Sequence, residues 1–280
     1  MFKSFAKRVR EFISEPVSRP LNQIYDLILR EQMLSITQRQ PNPLSRCGRK
    51  IFSQTDEDGI TFEIIRRIGL DRAGTYAEFG VGNGLENNTL ALAALGWRGF
   101  WVGGQNLAFN VPQSRKFTYF KVWITLDNIV QMAQQGLSFL NSNDLDIISL
   151  DLDGNDIYFV DKLLTNNIKP KLFIVEYNAK FPPPIRFQID YDPQHRWQRS
   201  DYFGASLSSF DELFRKFGYK LVCCNAHTGS NAFFVRIEFV DRFADVPADI
   251  NQIYVEPRYH LHKSYGHRAS PKVAEVILRD

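Results

Sequence analysis

The sequence predicts a doubly wound α/β domain: a mainly parallel sheet with helices on both faces and an antiparallel pair closing one edge. Three observations predict it. First, from Ser53 onward short, almost wholly apolar runs alternate with amphipathic segments of helical spacing, and apolar runs without a polar alternation belong to strands buried on both faces. Second, Tyr76-Ala-Glu-Phe79 runs into Gly80, Gly82 and Gly84 and then into an apolar helix. Third, the apolar run 145–152 ends in Asp151 and Asp153, placing carboxylates at the strand end where such sheets bind ligands.

The elements follow in order. Residues 1–45 read as a helical extension and linker. Phe2, Phe5, Val9, Phe12 and Ile13, then Leu21, Ile24, Leu27 and Ile28, have helical spacing; with breaks at Pro16 and Pro20 this predicts two short amphipathic helices and a linker at 41–45. Lys3, Lys7, Arg8 and Arg10 make the first one basic, so it is open to docking on an anionic membrane surface or to packing on the protein or on a second subunit. Residues 46–240 form the main domain. Ser53 or Thr55 as N-cap, the Ile60, Ile64 and Ile68 face and the stop at Gly69 predict its first helix. The strand at 76–79 follows, then a helix capped by Asn87 or Asn88 and ended by Gly96. Strands are expected at 99–103, 117–124, 145–152 and 172–177, with helices at 126–140 and from Ile157 to Leu164 between the later ones. A loop over about 179–205, rich in proline and carrying His195, Trp197, Asp201 and Tyr202, breaks the alternation, and loops of this length usually carry function. Ser209 and Glu212 suggest a capping box for the next helix, with Gly218 as its stop. Residues 219–224 and 231–237 then read as the closing antiparallel pair. Residues 241–280 are a polar tail packed on the domain, with His260, His262 and His267 offering no metal pattern.

The glycine loop is a place for a ligand to approach the backbone, because Gly80, Gly82 and Gly84 carry no Cβ and accept positive φ, and the helix beyond offers unpaired N–H groups. Its Gly-x-Gly-x-Gly spacing differs from the Gly-x-Gly-x-x-Gly of nicotinamide enzymes. Led by Glu78, it favours S-adenosylmethionine, although a plain strand-to-helix turn has the same look. The carboxylates are open to three uses: Asp151, Asp153 and Glu176 as ligands of a divalent metal such as Mg²⁺; Asp151 and Glu176 as acid–base groups toward a substrate hydroxyl; or Asp153 and Asn155 as helix caps. His195, beside Arg196 and Arg199, is a further candidate catalytic residue from a loop that either closes over a ligand or merely lies on the surface.

Composition narrows the classes. The chain has 280 residues, 44% hydrophobic and 23% charged, with net charge +3 and three cysteines. This is an ordinary folded composition, too mildly basic for nucleic acid as main partner, and Cys47, Cys223 and Cys224 form neither a disulfide framework nor a zinc pattern, which points to the cytoplasm.

Six blocks, in order, carry a family resemblance: Ser53-Gln54-x-x-Glu57-Asp58-Gly59, Glu78-Phe79-Gly80-x-Gly82-x-Gly84, Gly96-Trp97-Arg98-Gly99, Asp151-Leu152-Asp153-Gly154-Asn155-Asp156, Glu176-Tyr177-Asn178 and Tyr202-Phe203-Gly204-Ala205-Ser206. Over about residues 50–240 the chain resembles the FkbM-type family of S-adenosylmethionine-dependent methyltransferases. The resemblance implies a seven-stranded Rossmann-like domain that methylates a hydroxyl of a sugar or small metabolite. It implies cofactor contacts from Glu78, Gly80, Gly82, Gly84 and Asp151. The sequence departs from the family at the end of the second strand, where Gly103 stands in place of the acidic residue that would hold the ribose hydroxyls; Gln105 or Asn106 is then the available substitute. The rival expectation is a binding or scaffold protein that kept the fold and lost the cofactor.

Overall fold

The computed structural model describes residues 2–70, 72–261 and 270–280, with side chains from Pro20 onward. Two compact units are present, Met1–Arg39 and Gln40–Asp280.

The first unit is a single helix, α1, Phe2–Arg39. The expected break into two helices does not occur. A proline inside a helix removes one backbone hydrogen bond and costs about 3 kcal/mol, and the remaining turns carry the helix through both Pro16 and Pro20. The side chains from Phe2 to Ile13 lie outside the described ones, whereas the expected apolar face farther on, Leu21, Ile24, Leu27 and Ile28, is more than half exposed.

The second unit begins with a 3₁₀ turn at Pro43–Cys47, where a linker was expected. Its helix α2, Glu57–Ile68, ends as anticipated at Gly69, which adopts φ 78°. Its N-cap position is Asp56 rather than Ser53 or Thr55, although the Ser53 hydroxyl does accept the first-turn N–H of Asp58 at 3.3 Å. Asp58 Oδ2 accepts the N–H groups of Ile51, Phe52 and Ser53 at 2.7, 2.7 and 2.9 Å, and Asp56 accepts those of Ala226 and His227 at 2.8 and 3.2 Å. Asp58 thus ties the helix start to the segment before it, and Asp56 clamps it to the turn of the far hairpin.

A seven-stranded sheet in the order β3-β2-β1-β4-β5-β7-β6 follows. Its strands are β1 Thr75–Phe79, β2 Arg98–Gly103, β3 Phe117–Lys121, β4 Ile147–Leu150, β5 Leu172–Glu176, β6 Tyr219–Cys224 and β7 Asn231–Arg236. The first five are parallel, and β7 inserts antiparallel between β5 and β6. This is the Rossmann-like arrangement of methyltransferase type that the alternating pattern and closing hairpin foretold. The helices are α3 Leu90–Ala94, α4 Ile129–Leu140, α5 Asp156–Thr165 and α6 Leu207–Lys216, then the short α7 Ile250–Ile253 and α8 Pro271–Ile277 in the tail. The N-cap of α6 is Ser206, whose side chain accepts from Ser209 N–H, three residues before the expected capping box. Phe214 on α6 stacks on Phe234 of β7 at 4.0 Å and meets the edge of Phe173 on β5; burying each such ring is worth about 2 to 3 kcal/mol. The chain reverses from β1 outward to β2 and from β1 inward to β4, so the crevice at the carboxyl ends of these two neighbours is the switch point at which doubly wound sheets take ligands.

Candidate functional site

At that crevice the three loop glycines separate by role. Gly80 has φ 92°, and a Cβ on it would lie 1.6 Å from the backbone oxygen of Asp151; one on Gly84, φ 81°, would press on Leu107 and Phe109 at 3.0 Å. The protein itself needs both. Gly82, φ 52°, has nothing within 4 Å of that position, so its backbone faces open space.

Glu78 is buried and its oxygens are engaged within the protein. Oε1 accepts Asn88 N–H and Oε2 accepts Thr89 N–H, each at 3.0 Å, and the Thr89 hydroxyl also donates to Oε2. Neither Asn87 nor Asn88 caps α3, whose N-cap is Thr89 with no side-chain cap bond; Glu78 instead holds the two residues that lead into the helix, and Trp101 Nε1–H fixes Thr89 from the other side at 2.8 Å. Burial pushes the Glu78 carboxyl up, against these hydrogen bonds.

At the end of β2, the position of Gly103 is bounded by Val81, whose Cγ2 would be 3.1 Å from an added Cβ, and by the Tyr119 hydroxyl at 3.4 Å. That hydroxyl lies 2.7 Å from Gly103 O and 2.6 Å from Gln105 O, donating its one proton to either. Gln105 and Asn106 are exposed beyond it, and the Asn106 side-chain oxygen accepts from Lys121 at 2.6 Å.

The carboxylates converge. Asp151, Asp153 and Glu176 each bring an oxygen to within 4.8 Å of the others, Asp153 exposed and the other two partly so. Burial first, then the charges of Asp156 and Asp153, push Asp151 up to about 8. Burial and the charge of Asp151 raise Glu176 well above the ordinary range. The two carboxyls push each other up and hold a proton between them, because like charges so close in a poorly solvated place do not both ionise. Neither Arg98 nor Lys180 balances them: Arg98 donates to Leu140 O at 2.9 Å and Lys180 pairs with Asp201. Helix capping does not explain Asp153 or Asn155 either. Asp156 holds this turn, accepting Leu152 N–H and Gly154 N–H at 2.7 and 2.8 Å, a role that the sequence block contained and that was not read from it.

Asn155 instead pins the long loop, donating to Asp192 O at 2.6 Å and accepting Asp192 N–H at 3.2 Å, while Tyr158 donates to Ile189 O at 2.8 Å. This brings the His195 ring onto Gly154, where a Cβ would sit 2.2 Å from its Cδ2; burial raises Asp153, and the nearby imidazole only opposes that rise. His195 Nε2 is buried without a hydrogen-bond partner. Trp197 stays half exposed on the surface. Of the tail histidines, His260 is exposed, and His262 and His267 lie outside the described residues.

The donor set fits a hard divalent cation, which takes carboxylate oxygens and tolerates an open side filled by water or ligand. Among the described residues, Asp151, Asp153 and Glu176 are the group that would hold it.

No protein-family model matches this sequence, and no curated protein matches it significantly. Solved structures with a similar course of chain include the METTL16 methyltransferase domain, 15% identical, TM-score 0.42, over 68% of this chain and 70% of that one. Cofactor-bound Rv0187 from MTB is 12% identical, TM-score 0.40, over 75% and 89%. The methyltransferase domain of bacterial CtHen1-C is 13% identical, TM-score 0.39, over 64% and 97%. Likeness at this level carries no functional argument.

Proposed function

We propose that the chain is an S-adenosylmethionine-dependent methyltransferase of FkbM type, acting on a hydroxyl of a small carbohydrate-like acceptor. One observation carries the reading: the open backbone at Gly82 lies at the same sheet edge as Asp151 and Glu176, a proton-sharing carboxyl pair with a partly exposed rim. The bound cofactor would supply an activated methyl group. Gly82 would let it approach the backbone. Asp151 would take the proton of the acceptor hydroxyl, for which a value of about 8 is well matched at neutral pH. His195, presented by the pinned loop, would orient the acceptor or pass that proton onward. Alternatively to Asp151 acting as the base, a Mg²⁺ held by Asp151, Asp153 and Glu176 would neutralise the cluster and polarise the hydroxyl. Gln105 and Asn106 stand at the ribose end, and the six sequence blocks support the family assignment. The buried, unpaired thiols of Cys223 and Cys224 support a reducing compartment, and no described helix is long and apolar enough to cross a membrane.

The second reading, a scaffold that lost its cofactor, is favoured by Gly103, whose carboxylate counterpart in the family has no equivalent here. Calorimetric titration with S-adenosylhomocysteine separates the two. A dissociation constant in the micromolar range supports the enzyme; one weaker than about 1 mM, equivalent to about −4 kcal/mol, overturns it.

A further inference from the structure

The adenosine end poses a problem that the carboxylate end does not. With glycine at 103, the usual charged ribose contact is missing, and the neighbouring polar groups are occupied: the Tyr119 hydroxyl by Gly103 O and Gln105 O, the Asn106 side chain by Lys121. The next residue along, Gly104, is bare for a different reason. A Cβ there would lie 3.0 Å from Cε3 of Trp123, so the indole lies against the backbone just past the end of β2. Trp123 follows β3 by two residues and is 51% exposed. Of the four tryptophans, Trp97 and Trp101 are core residues and Trp197 sits on the loop surface. What lies over Trp123 is a cation from the long loop: the Arg196 guanidinium stands 5.3 Å from the ring centroid, and the indole N–H reaches toward Pro193 O at 3.5 Å. Arg196 adjoins His195, which rests on Gly154 at the end of β4. The loop therefore bridges the crevice from the carboxylates to the indole.

We propose that Trp123 is the platform on which the purine of the cofactor stacks, the base taking the ring face that Arg196 covers. This rests on the reading of the crevice as a cofactor site. An exposed indole next to a side-chain-free backbone offers a flat apolar face at the right end of the sheet, and stacking of a base on an aromatic ring does not require the carboxylate that Gly103 lacks. Arg196 on an exposed indole is a weak partner, readily exchanged for a base.

The test titrates S-adenosylhomocysteine, and separately adenosine, into the full chain and its variants, with thermal melting alongside. Trp123→Ala is expected to weaken both ligands by about ten- to a hundredfold, the range for a lost base–aromatic stack, without lowering the melting temperature; Trp123→Phe is expected to stay within about threefold of wild type. Ligand quenching of indole fluorescence should survive Trp197→Phe and vanish in Trp123→Phe. If Trp123→Ala binds as wild type does while Gly82→Val does not bind, the platform is wrong and the cofactor reading stands. If Trp123→Phe loses as much as Trp123→Ala, stacking is not the cause and the proposal fails. If the wild-type chain binds neither ligand, platform and cofactor reading fall together.

Discussion

Substituting Asp151 by Asn tests chemistry and structure at once, because the carboxylate cluster opposes itself. Two like charges no more than 4.8 Å apart repel by at least about 3 kcal/mol at an effective dielectric of 20. The protein evades part of this by keeping a proton on the pair, which is why burial and neighbouring charge push Asp151 up to about 8. Asn removes one charge, keeps a carbonyl oxygen able to accept a hydrogen bond from a protonated Glu176, and orphans no described cation, since Arg98 and Lys180 are engaged elsewhere. Stability at pH 8 should therefore rise, by about 1 to 2 kcal/mol or about 2 to 8 °C for a domain of this size. Turnover, measured with radiolabelled S-adenosylmethionine on a panel of glycoside acceptors, should fall by about two to four decades, as for a lost acid–base group. Stabilisation by Mg²⁺ in the melting assay should shrink as well. A lower melting temperature with unchanged affinity for S-adenosylhomocysteine would refute the assignment, since it would mean that Asp151 holds the fold together.

Two further outcomes are expected. Gly82→Val should abolish S-adenosylhomocysteine binding in calorimetry and cost about 1 to 3 kcal/mol, because a β-branched residue resists φ 52°, whereas Gly80→Ala should fail to fold, its Cβ overlapping Asp151 O at 1.6 Å; binding retained by Gly82→Val would reduce the loop to a turn. The melting temperature without divalent ions should fall as pH rises from 5.5 to 8.5: Asp151 at about 8, Glu57 at about 7 and Asp156 at about 6 all bind more protons folded than unfolded, so their protonated stabilisation is lost between the ordinary carboxylate range and those values. Glu63, held at about 2 by Arg66 and Arg67, acts in the opposite sense only below about pH 4.5 and does not mask the slope. A flat profile would mean that the buried carboxylates are ionised throughout.

The sheet was legible because its signals are local and redundant. Apolar runs such as Ile147–Leu150 and Leu172–Glu176 have no competing reading once helices flank them, and Gly69, Gly96 and Gly218 stop helices with the positive φ that the sequence suggested. The convergence of Asp151, Asp153 and Glu176 was legible for the same reason, being fixed by strand ends. Capping was not. Glu78 reaches ten residues along the chain to Asn88, Asp56 reaches 170 to Ala226, and Ser206 competes with Ser209 for one helix start; any of several polar residues satisfies the local rule, and only tertiary position chooses. Prolines misled in the other direction, since a helix as long as α1 carries two missing bonds. Nothing local marks Tyr119 or Trp123, because a strand tyrosine and a loop tryptophan are ordinary until the bare backbone of Gly103 and Gly104 is placed beside them.

The cluster's charge also bears on how substrate and product would be told apart. The methyl donor is a cation at sulfur and the product is neutral, while everything else about the two is shared. A group of carboxylates without a described cationic partner favours the cation, and does so more strongly as its protons leave. One added negative charge at about 7 Å, with an effective dielectric of 20, is worth about 2 kcal/mol before screening, and about 1 kcal/mol or a fivefold affinity change after it. The ratio of dissociation constants, S-adenosylhomocysteine over S-adenosylmethionine, should thus climb by about fivefold between pH 6.5 and 9, through the value of about 8 at Asp151. It should flatten in Asp151→Asn and under saturating Mg²⁺, each of which reduces the negative charge of the cluster. A ratio that stays constant with pH in the wild-type chain would show that the sulfonium does not sit beside these carboxylates, and Asp151 would lose its place as the base even if both ligands bind.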